Sequence, residues 1–570
     1  MRAMLMFLLT GFLGGCHPTT PPPATAPVAP AAVIGTPTEF YGTLDPFASE
    51  AIYFVMTDRF VNGDPNNDQR TQGGAHPTFD LPIDCPDGVT ANLGYLGGDF
   101  KGLLDHADYI HDMGFGAVWI TPIVDNPDEA FSGGDKVSCT SILTDRGKAG
   151  YHGYWGKNFY RVDEHLPSVG LGFPEFTAGL RANGLKTVLD IVANHGSPAY
   201  TMPNPQPGFG QLFAADGTLI ADHQNLPPAQ LDPLHQPLHR FFHPTAELAQ
   251  LSNLDDENPD VRAYLTGAYL QWIDQGAAAF RIDTIRFMPD AFWKTFSDHI
   301  RARHPGFFMF GEDFVYDANH IAVHTLPENG AISVLDFPLK ANLAEVFEHP
   351  DSDFALLADA LYLDAGPYQN PYELVTFYDN HDMARLNASD QGFIDAHNWL
   401  FTARGIPVVY YGSEIGFMRG RAEHAGNRNY FGAKGIAAAS GHPIHDQLKR
   451  IATLRRQTPA LQRGLQINLQ LGGNRAAFYR VYQHNDVQQI ALVLLNKGDD
   501  AAEFEISELL ESGSWQPAFG GAAITIGDGG VLSSSVPAHG VQVYLHNAPL
   551  RRNDLRQKLA ASMQFMAARR

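Results

Sequence analysis

Cysteine, basic residues and long apolar runs are all scarce in this 570-residue sequence. Three cysteines occur, and 39 Lys and Arg stand against 62 Asp and Glu, which gives a formal net charge of −23. That balance argues against a nucleic-acid partner, because a phosphate backbone selects clustered Lys and Arg. Hydrophobic residues make up 44% of the chain and aromatic residues 11%. The composition therefore predicts a folded protein with one large domain and a smaller companion.

The amino terminus has the features of an export signal. Arg2 precedes the apolar run 4–13, which is too short to span a bilayer as a mature helix. The run ends in Leu13-Gly14-Gly15-Cys16, which resembles a bacterial lipoprotein box and implies cleavage of residues 1–15 and acylation of Cys16. An ordinary signal peptide with an incidental Cys is the alternative. Residues 16–44 are rich in Pro, Ala and Thr, a composition typical of an extended tether between an anchor and a folded domain. We therefore expect an exported protein that is lipid-anchored on the periplasmic or cell-surface side of a bacterial membrane.

The two other cysteines are Cys85 and Cys139. In an oxidising compartment they could form one disulfide. Two separate thiols are the alternative, because the sequence does not give their distance in space.

Eight short apolar runs alternate with helical stretches between about residues 50 and 415. Most of the runs lack polar alternation, as expected of strands buried on both faces of a parallel sheet. Eight β–α units in order predict a closed (β/α)8 TIM barrel over residues 45–460, with catalytic residues at the carboxyl ends of the strands. The predicted strands are Ala51–Thr57, Ala117–Thr121, Thr187–Val192, Ala278–Asp283, Phe307–Gly311, Ile332–Asp336, Leu374–Tyr378 and Val408–Tyr411, and the predicted helices include Phe100–Met113, Phe173–Asn183 and Asn258–Gln275.

Three other segments complete the predicted organisation. Residues 196–254, rich in Pro, His, Gln and Asn, are too long for an ordinary connection and predict a small inserted B domain beside the cleft. Residues 461–548 predict a carboxyl-terminal antiparallel β-sandwich, with strands at Ala476–Tyr482, Gln489–Leu495 and Gly540–Leu545. The basic tail 549–570 has apolar residues at helical spacing, which fits a membrane contact but more ordinarily a helix docked on the protein or a frayed end.

Polar side chains follow the third, fourth, fifth and seventh predicted strands. They occur in Asp190-Ile191-Val192-Ala193-Asn194-His195, Arg281-Ile282-Asp283, Gly311-Glu312-Asp313 and Asp379-Asn380-His381-Asp382. A single Asp at a strand end is usually a helix cap or a salt-bridge partner. The order and placement of all four segments together are highly specific.

These four segments resemble the four conserved regions of the α-amylase family, in the family's order. Other segments are most similar to its cyclodextrin glucanotransferase and maltogenic amylase branch. They are Ile52-Tyr53, Thr57-Asp58-Arg59-Phe60, Leu96-Gly97-Gly98-Asp99, Tyr151-His152-Gly153-Tyr154-Trp155 and Tyr410-Tyr411-Gly412. The resemblance covers residues 50–545 and implies a glycoside hydrolase barrel, without the additional carboxyl-terminal domains of that branch.

The resemblance assigns three catalytic carboxylates. Asp283 would be the nucleophile, Glu312 the general acid/base, and Asp382 the group that binds sugar hydroxyls and favours a distorted, oxocarbenium-like ring. In retaining glycosidases the first two carboxyl groups lie ~5–5.5 Å apart, on opposite faces of the sugar. Arg281 projects to the same face of its strand as Asp283 and would favour that residue's charged form, whereas Glu312 needs a raised pKa. A barrel without catalysis is the alternative, although such relatives usually lose at least one carboxylate.

Further substrate contacts follow from the same resemblance. Aromatic side chains supply stacking platforms for sugar rings, although aromatic residues more often belong to the core. Arg286 is expected on the acceptor side. His195 and His381 are expected to donate hydrogen bonds to the reacting sugar. The predicted substrate-binding residues are Tyr151, His152, Tyr154, Trp155, His195, Arg281, Arg286, His381 and Arg428.

A calcium site is also implied, because Ca²⁺ takes six to eight oxygen ligands and the loop at residues 62–68 offers several. An Asn/Asp-rich turn without metal is the alternative. The family's second calcium site is in doubt: Asn194 matches one ligand, but Asn253 stands where Asp is common and Phe287 where His is. The ligands implied for the first site are Asn62, Asp64, Asn67, Asp68, Asp99 and the carbonyl of Gly97.

The sequence thus predicts a monomeric, retaining α-amylase-type hydrolase of starch, maltodextrins or related α-glucans. A 4-α-glucanotransferase, a cyclodextrin glucanotransferase or a cyclomaltodextrinase is the nearest alternative, and the absence of room for extra carboxyl-terminal domains favours the hydrolase. A surface glycan-binding lipoprotein without turnover is the alternative from another class.

Overall fold

The computed structural model describes residues 39–568. An eight-stranded parallel sheet lies at its centre, with neighbouring strands paired in chain order and the first strand paired with the eighth. A parallel bridge between Leu335 and Val375 joins the sixth strand to the seventh, so the sheet is closed and the predicted (β/α)8 barrel is confirmed. The barrel strands are Ile52–Val55, Ala117–Ile120, Lys186–Ile191, Ala277–Ile282, Phe308–Gly311, Ser333–Val334, Val375–Thr376 and Ile406–Tyr410.

Each predicted strand overlaps an observed one, because a barrel strand is apolar towards both the interior and the surrounding helices. Every residue of Ile52–Val55 and Phe308–Gly311 is buried, for example. The helices are Thr57–Phe60, Phe100–Leu104, Ala107–Asp112, Phe173–Ala182, Pro259–Asp274, Asp290–Arg303, Ala318–Ile321, Phe337–Glu348, Asp390–Thr402, Gly432–Ala439, Pro443–Gln457, Pro459–Arg463 and Asn553–Ala567.

The helix predicted over Phe100–Met113 is wrong in one respect, because the structure breaks it at His106. The amide of His106 bonds to the carbonyl of Leu103, three residues back, and its ring Nδ1 lies 2.8 Å from the carbonyl of Gly102. The side chain therefore occupies the acceptor that a continuing α-helix would use, and a second helix begins at Ala107.

The long segment after the third barrel strand is built from two small antiparallel pairs. Strand Gln211–Phe213 pairs with Leu219–Asp222, and His195–Pro198 pairs with Leu251–Asn253. The second pair returns the chain to the barrel rim, so that His195 faces Asn253 across it. This is the segment for which an inserted B domain was predicted.

The carboxyl-terminal region is an antiparallel β-structure, as predicted. A six-stranded sheet runs in the order Leu465–Gly472, Arg475–His484, Val487–Asn496, Gly540–His546, Gly513–Phe519 and Ile524–Ile526. A two-stranded sheet of Ala502–Ile506 and Leu532–Val536 contributes side chains to the same apolar core. The remaining strands in the described residues are Pro82–Asp84, Thr90–Asn92, Val124–Asp125 and Asn158–Val162.

The basic tail forms the helix Asn553–Ala567, which docks on the β-domain. Leu555 and Leu559 are fully buried in the core of that domain, and Arg556 lies 2.6 Å from Glu39. The apolar side of the helix is thereby covered by the protein, which favours the docked-helix interpretation over a membrane contact. None of the helices within residues 39–568 combines the length and the apolar character that crossing a bilayer requires.

Cys85 and Cys139 form a disulfide with Cα atoms 5.7 Å apart, so the predicted pairing is confirmed. The bond joins the hairpin that contains Pro82–Asp84 to a loop that follows the second barrel strand. The predictions for the signal peptide and Cys16 lie outside the described residues. At the end of the predicted tether, Tyr41 already pairs with Gln483 of the β-domain.

Candidate active site

Two of the predicted catalytic residues leave adjacent barrel strands side by side. The register aligns Ile282 with Gly311, so Asp283 and Glu312 directly follow paired positions at the carboxyl ends of their strands. On the other side Arg281 aligns with Asp190 of the third strand. Strand order and register therefore bring the Arg281-Ile282-Asp283 segment between the two others, as expected of the catalytic end of such a barrel.

The Arg281 guanidinium joins these residues. It is fully buried, and its Nη1 lies 2.8 Å from Asp283 Oδ1 and 2.9 Å from Asp190 Oδ1. Its Nη2 lies 3.5 Å from Glu312 Oε2. One buried positive charge thus faces three carboxyl groups, and the two nearest approaches go to Asp283 and Asp190.

Glu312 is built to hold a proton near neutral pH. Burial raises its pKa to about 8; the charges of Asp283 and Asp382 add to the rise, and Arg281 opposes it. Its Oε2 accepts a hydrogen bond of 2.9 Å from the amide of Thr284. A carboxyl group with this pKa can protonate a leaving oxygen at neutral pH and afterwards act as a base.

Thr284 is a residue that sequence reasoning missed. Its backbone is left-handed, with φ 46° and ψ 43°, which is costly for a β-branched side chain. This conformation lets its amide reach Glu312, while its hydroxyl donates to Asp283 Oδ2 at 2.9 Å. One strained residue therefore orients both carboxyl groups, and only its position after Asp283 could have signalled it.

Asp382 lies in the loop after the seventh strand, and its side chain is 30% exposed. Its Oδ1 is 2.8 Å from Arg428 Nη2, and its Oδ2 is 3.4 Å from His381 Nε2. His381 Nε2 lies 2.8 Å from the Tyr154 hydroxyl, which donates to Asp190 Oδ2 at 2.8 Å. His381 and Tyr154, both neutral, thereby link Asp382 to Asp190, the carboxylate that pairs with Arg281.

The histidines of the site are neutral. Burial lowers the pKa of His195, and burial together with Arg428 and Arg281 holds the pKa of His381 well below its ordinary value. His195 Nδ1 lies 2.7 Å from Asn194 Oδ1. A neutral imidazole whose one nitrogen is engaged can offer the other to a sugar hydroxyl without adding charge.

The predicted aromatic platforms differ in how they are placed. Tyr154 contacts His381 with ring centroids 5.4 Å apart, and His152 meets the Trp155 ring edge-on at 4.7 Å. Tyr151 is buried beneath the Arg59 guanidinium, 3.7 Å from its ring centroid. Trp155 is 3% exposed and belongs to an apolar cluster with Phe131, Met202, Phe209 and Leu251. Tyr154 therefore joins the catalytic cluster, and Trp155 belongs to the core beside it.

Arg428 and Arg286 occupy different surroundings. Arg428 is buried against Asp382, whereas Arg286 is 42% exposed and its Nε lies 3.9 Å from Asp313 Oδ1. Sequence reasoning missed a second partner of Arg428, Glu423, whose Oε1 is 2.8 Å from Arg428 Nη1. No pattern signalled Glu423, because it follows the eighth strand in a loop without periodic character.

The loop at residues 62–68, predicted to bind calcium, contains buried oxygen atoms that lack hydrogen-bond partners in the described part of the chain. Asn62 Oδ1 and Asn67 Oδ1 are buried and have no hydrogen-bond partner within the described residues. Gly97 has φ +89°, and a Cβ there would lie 2.2 Å from Asn62 Nδ2 and 2.4 Å from Asp68 Oδ1. Gly97 thus lets its backbone approach these side chains closely, and the oxygen-rich loop fits a Ca²⁺ ion.

All three implied carboxylate ligands already have partners. Asp99 accepts from the amides of Gly63, Asp64 and Gly102 at 3.0, 2.8 and 2.6 Å, so it orders the loop. The Asp64 side chain accepts from Asn66 at 2.7 Å. Asp68 is paired with Asn62 Nδ2 and with the exposed Arg70, each at 2.7 Å. Asn62 and Asn67 therefore supply the oxygens that are left unpartnered within residues 39–568 and can bind a cation, and Asp68 supplies an adjacent charge.

The residues at the second calcium site that the family resemblance implies fit a metal ion less well. Asn194 Oδ1 lies 2.5 Å from the Thr284 hydroxyl oxygen and 2.7 Å from His195 Nδ1. Asn253 carries no charge, and its side chain donates to the carbonyl of Thr245 at 3.4 Å. The oxygen expected to bind metal is already used within the catalytic cluster.

Several known proteins are similar to this chain in sequence and in fold. The model of the α-amylase catalytic domain matches residues 54–204 and 236–441. The cyclomaltodextrin glucanotransferase of Thermoanaerobacterium thermosulfurigenes is 27% identical over 540 residues, which cover 88% of this chain and 69% of that protein. An α-amylase of Geobacillus thermoleovorans, solved with acarbose, has a TM-score of 0.67 and 26% identity, over 89% of this chain and 99% of that one. CldA, a cyclomaltodextrin glucanotransferase with three domains, has a TM-score of 0.71 and 29% identity, over 88% and 99%.

Proposed function

The chain belongs to the α-amylase family, and from this premise we propose that it cleaves α-1,4-glucosidic bonds with retention and passes the glycosyl group to water. As a glycosidase of this family it acts on α-glucans, and we propose starch and maltodextrins among them. The observation that carries the proposal is the Arg281 guanidinium, which contacts Asp283 at 2.8 Å and faces Glu312 at 3.5 Å at the carboxyl end of the barrel.

Two displacements at the anomeric carbon make up the proposed reaction. Asp283 attacks while Glu312 gives its proton to the leaving oxygen, and the glycosidic bond breaks as the ester to Asp283 forms. Glu312, now deprotonated, takes a proton from water, which attacks the same carbon and releases Asp283. Asp382 binds hydroxyls of the distorted sugar. The neutral His195, whose Nδ1–H faces Asn194, offers Nε2 as an acceptor to a sugar hydroxyl, and His381 Nε2 faces both Tyr154 and Asp382.

Glucan transfer is the second candidate, favoured by the glucanotransferases among the relatives. The expectation that domain number would favour a hydrolase is wrong, because CldA has three domains and this chain covers 99% of it. The α-amylase of Geobacillus thermoleovorans is covered to the same 99% and supports water as acceptor. The catalytic cluster serves either acceptor, since both reactions use the same covalent intermediate.

A product time course on soluble starch and maltoheptaose, with added calcium, tests the proposal. We expect new linear maltooligosaccharides and a matching rise in reducing ends. Cyclic or elongated products without that rise would make the chain a glucanotransferase and leave the catalytic residues standing. A first product of β-anomeric configuration would contradict retention, and binding without any turnover would support a glycan-binding lipoprotein.

The pKa of Glu312 sets an expected alkaline limit to activity. Glu312 must be protonated to donate its proton, so kcat/KM should fall as the pH rises through about 8. The measurement is kcat/KM on maltoheptaose from neutral to alkaline pH, with circular dichroism to show that the fold persists. If the residual activity of Glu312→Gln kept the same alkaline limb, the titrating group would be another residue.

Calcium is the metal we propose for the loop at residues 62–68. Chelation should lower the melting temperature, since an ion present at 100 times its Kd stabilises a fold by about 2.7 kcal/mol. Asp68→Ala should remove this response. Asp298→Ala, which removes an exposed carboxylate paired with Lys294 on a barrel helix, is the matched control and should keep it. Equal responses of the two variants would count against the site.

We propose further that the chain is exported, acylated at Cys16 and monomeric. The Leu13-Gly14-Gly15-Cys16 segment supports the anchor. Cys16→Ala should move the enzyme from the membrane fraction to the soluble fraction without changing its specific activity. A variant that stays in the membrane fraction would count against the lipid anchor.

A further inference from the structure

A chain of buried charges lies behind Asp382, and the proposed cleavage steps do not use it directly. Arg428 is 7% exposed, and each of its three nitrogens has a partner. Nη2 lies 2.8 Å from Asp382 Oδ1, Nη1 lies 2.8 Å from Glu423 Oε1, and Nε donates to the His381 carbonyl at 3.0 Å. The guanidinium is held from three sides, so its position against Asp382 depends on Glu423.

Glu423 is in turn held by Lys148. The Lys148 ammonium lies 3.6 Å from Glu423 Oε1 and 3.0 Å from Asp145 Oδ1, and its side chain is 7% exposed. Burial favours the protonated form of Glu423, but Arg428 and Lys148 outweigh burial and hold its pKa well below the ordinary value. Glu423 therefore stays ionised between two cations, and the four residues from Lys148 to Asp382 alternate in charge.

This charge chain connects two separate loops. Lys148 follows the second barrel strand and precedes Tyr151 by three residues, whereas Glu423 and Arg428 follow the eighth strand. The loops also meet where the ring Nδ1 of His424 lies 3.0 Å from the Ser141 carbonyl. A buried ion pair adds little net stability over an apolar pair of the same shape, and its main effect here is to fix geometry.

We propose that Glu423 and Lys148 are positioning residues that act through Arg428 to hold the Asp382 carboxylate in its reactive orientation. The inference rests on the proposed function, in which Asp382 binds the reacting sugar. A displacement of about 1 Å at a reacting group can cost on the order of 10²-fold in rate. Loss of either charge lets the Arg428 guanidinium shift, and Asp382 shifts with it.

The test compares Glu423→Gln and Lys148→Met with the full-length wild type on maltoheptaose. We expect kcat to fall roughly 10- to 100-fold at an unchanged KM. Glu423→Asp should restore part of kcat. The double variant Glu423→Gln/Lys148→Met should have a kcat no lower than that of the slower single variant, because both changes interrupt the same series of charge contacts. Lys157→Met is the matched control. The Lys157 ammonium lies 3.1 Å from Asp125 and contacts none of the four linked charged residues, so its loss should leave kcat unchanged.

Several outcomes would overturn the inference. A lower melting temperature with unchanged kcat would make Glu423 and Lys148 structural, and a raised KM at unchanged kcat would make Glu423 a direct sugar contact. If Glu423→Gln does not fold, the double variant, which removes one charge of each sign, carries the same comparison. An active wild type with unaffected variants defeats this inference alone, whereas a wild type without turnover on any α-glucan defeats the proposed function and this inference with it.

Discussion

Replacing Asp283 with Asn should abolish turnover of starch and maltoheptaose while preserving the fold. The amide keeps the size of the side chain and its contacts with Arg281 and Thr284, but it cannot form the glycosyl ester. Loss of a nucleophile lowers kcat by roughly 10⁴-fold or more. Reducing-end release at saturating substrate measures the loss, and the melting temperature reports on the fold.

Azide provides the control for this variant. The companion variant Asp283→Ala removes the carboxylate and leaves space on the same face of the sugar, so a small anion can enter it and attack a substrate with a good leaving group directly. A single displacement inverts the anomeric centre, so the product should be the β-glycosyl azide. Full activity of Asp283→Asn, or an α-azide from Asp283→Ala, would show that another residue is the nucleophile.

Glu312→Gln should lower kcat on starch by roughly 10²- to 10⁴-fold, the range that general acid–base catalysis contributes. The glutamine cannot donate the proton that the departing sugar oxygen needs. The variant should keep its fold, because the Thr284 amide can donate to the glutamine oxygen as it does to Glu312. The measurement is single-turnover and steady-state cleavage of maltoheptaose.

The leaving group separates this role from a structural one. A maltosyl fluoride needs little protonation to depart, so Glu312→Gln should form its glycosyl-enzyme at close to the wild-type rate. Asp382→Asn is the contrasting variant, because a group that binds the distorted sugar should be needed for fluoride and starch alike. Equally slow formation of the glycosyl-enzyme from the fluoride and from maltoheptaose in Glu312→Gln would contradict the general-acid assignment.

The barrel, and the rim at which its carboxylates emerge, could be predicted from the sequence for a physical reason, whereas the roles of those carboxylates followed from the family resemblance. Strands such as Phe308–Gly311 are apolar on both faces, and parallel strands end at the same rim, so Asp283 and Glu312 had to emerge together. The same periodicity could not reveal the break at His106, where a ring nitrogen competes for the Gly102 carbonyl. A side-chain hydrogen bond of that kind leaves no trace in the apolar pattern.

Loops were the part that the sequence could not place. Trp155 was expected as a sugar platform, and the structure packs it in an apolar cluster, because residue type alone does not distinguish a stacking face from a core face. Thr284 adopts a left-handed conformation that its residue type disfavours, and Glu423 reaches Arg428 across a loop. Both positions depend on tertiary contacts that no local pattern records.

The docked helix Asn553–Ala567 matters to anyone who redesigns this enzyme. A designer who reads residues 549–570 as a dispensable basic tail and deletes them would remove Leu555 and Leu559 from the core of the β-domain. The uncovered apolar surface would be free to associate with other molecules, and the product would be prone to aggregation. Fusion partners are better joined beyond the helix, where they leave this packing intact.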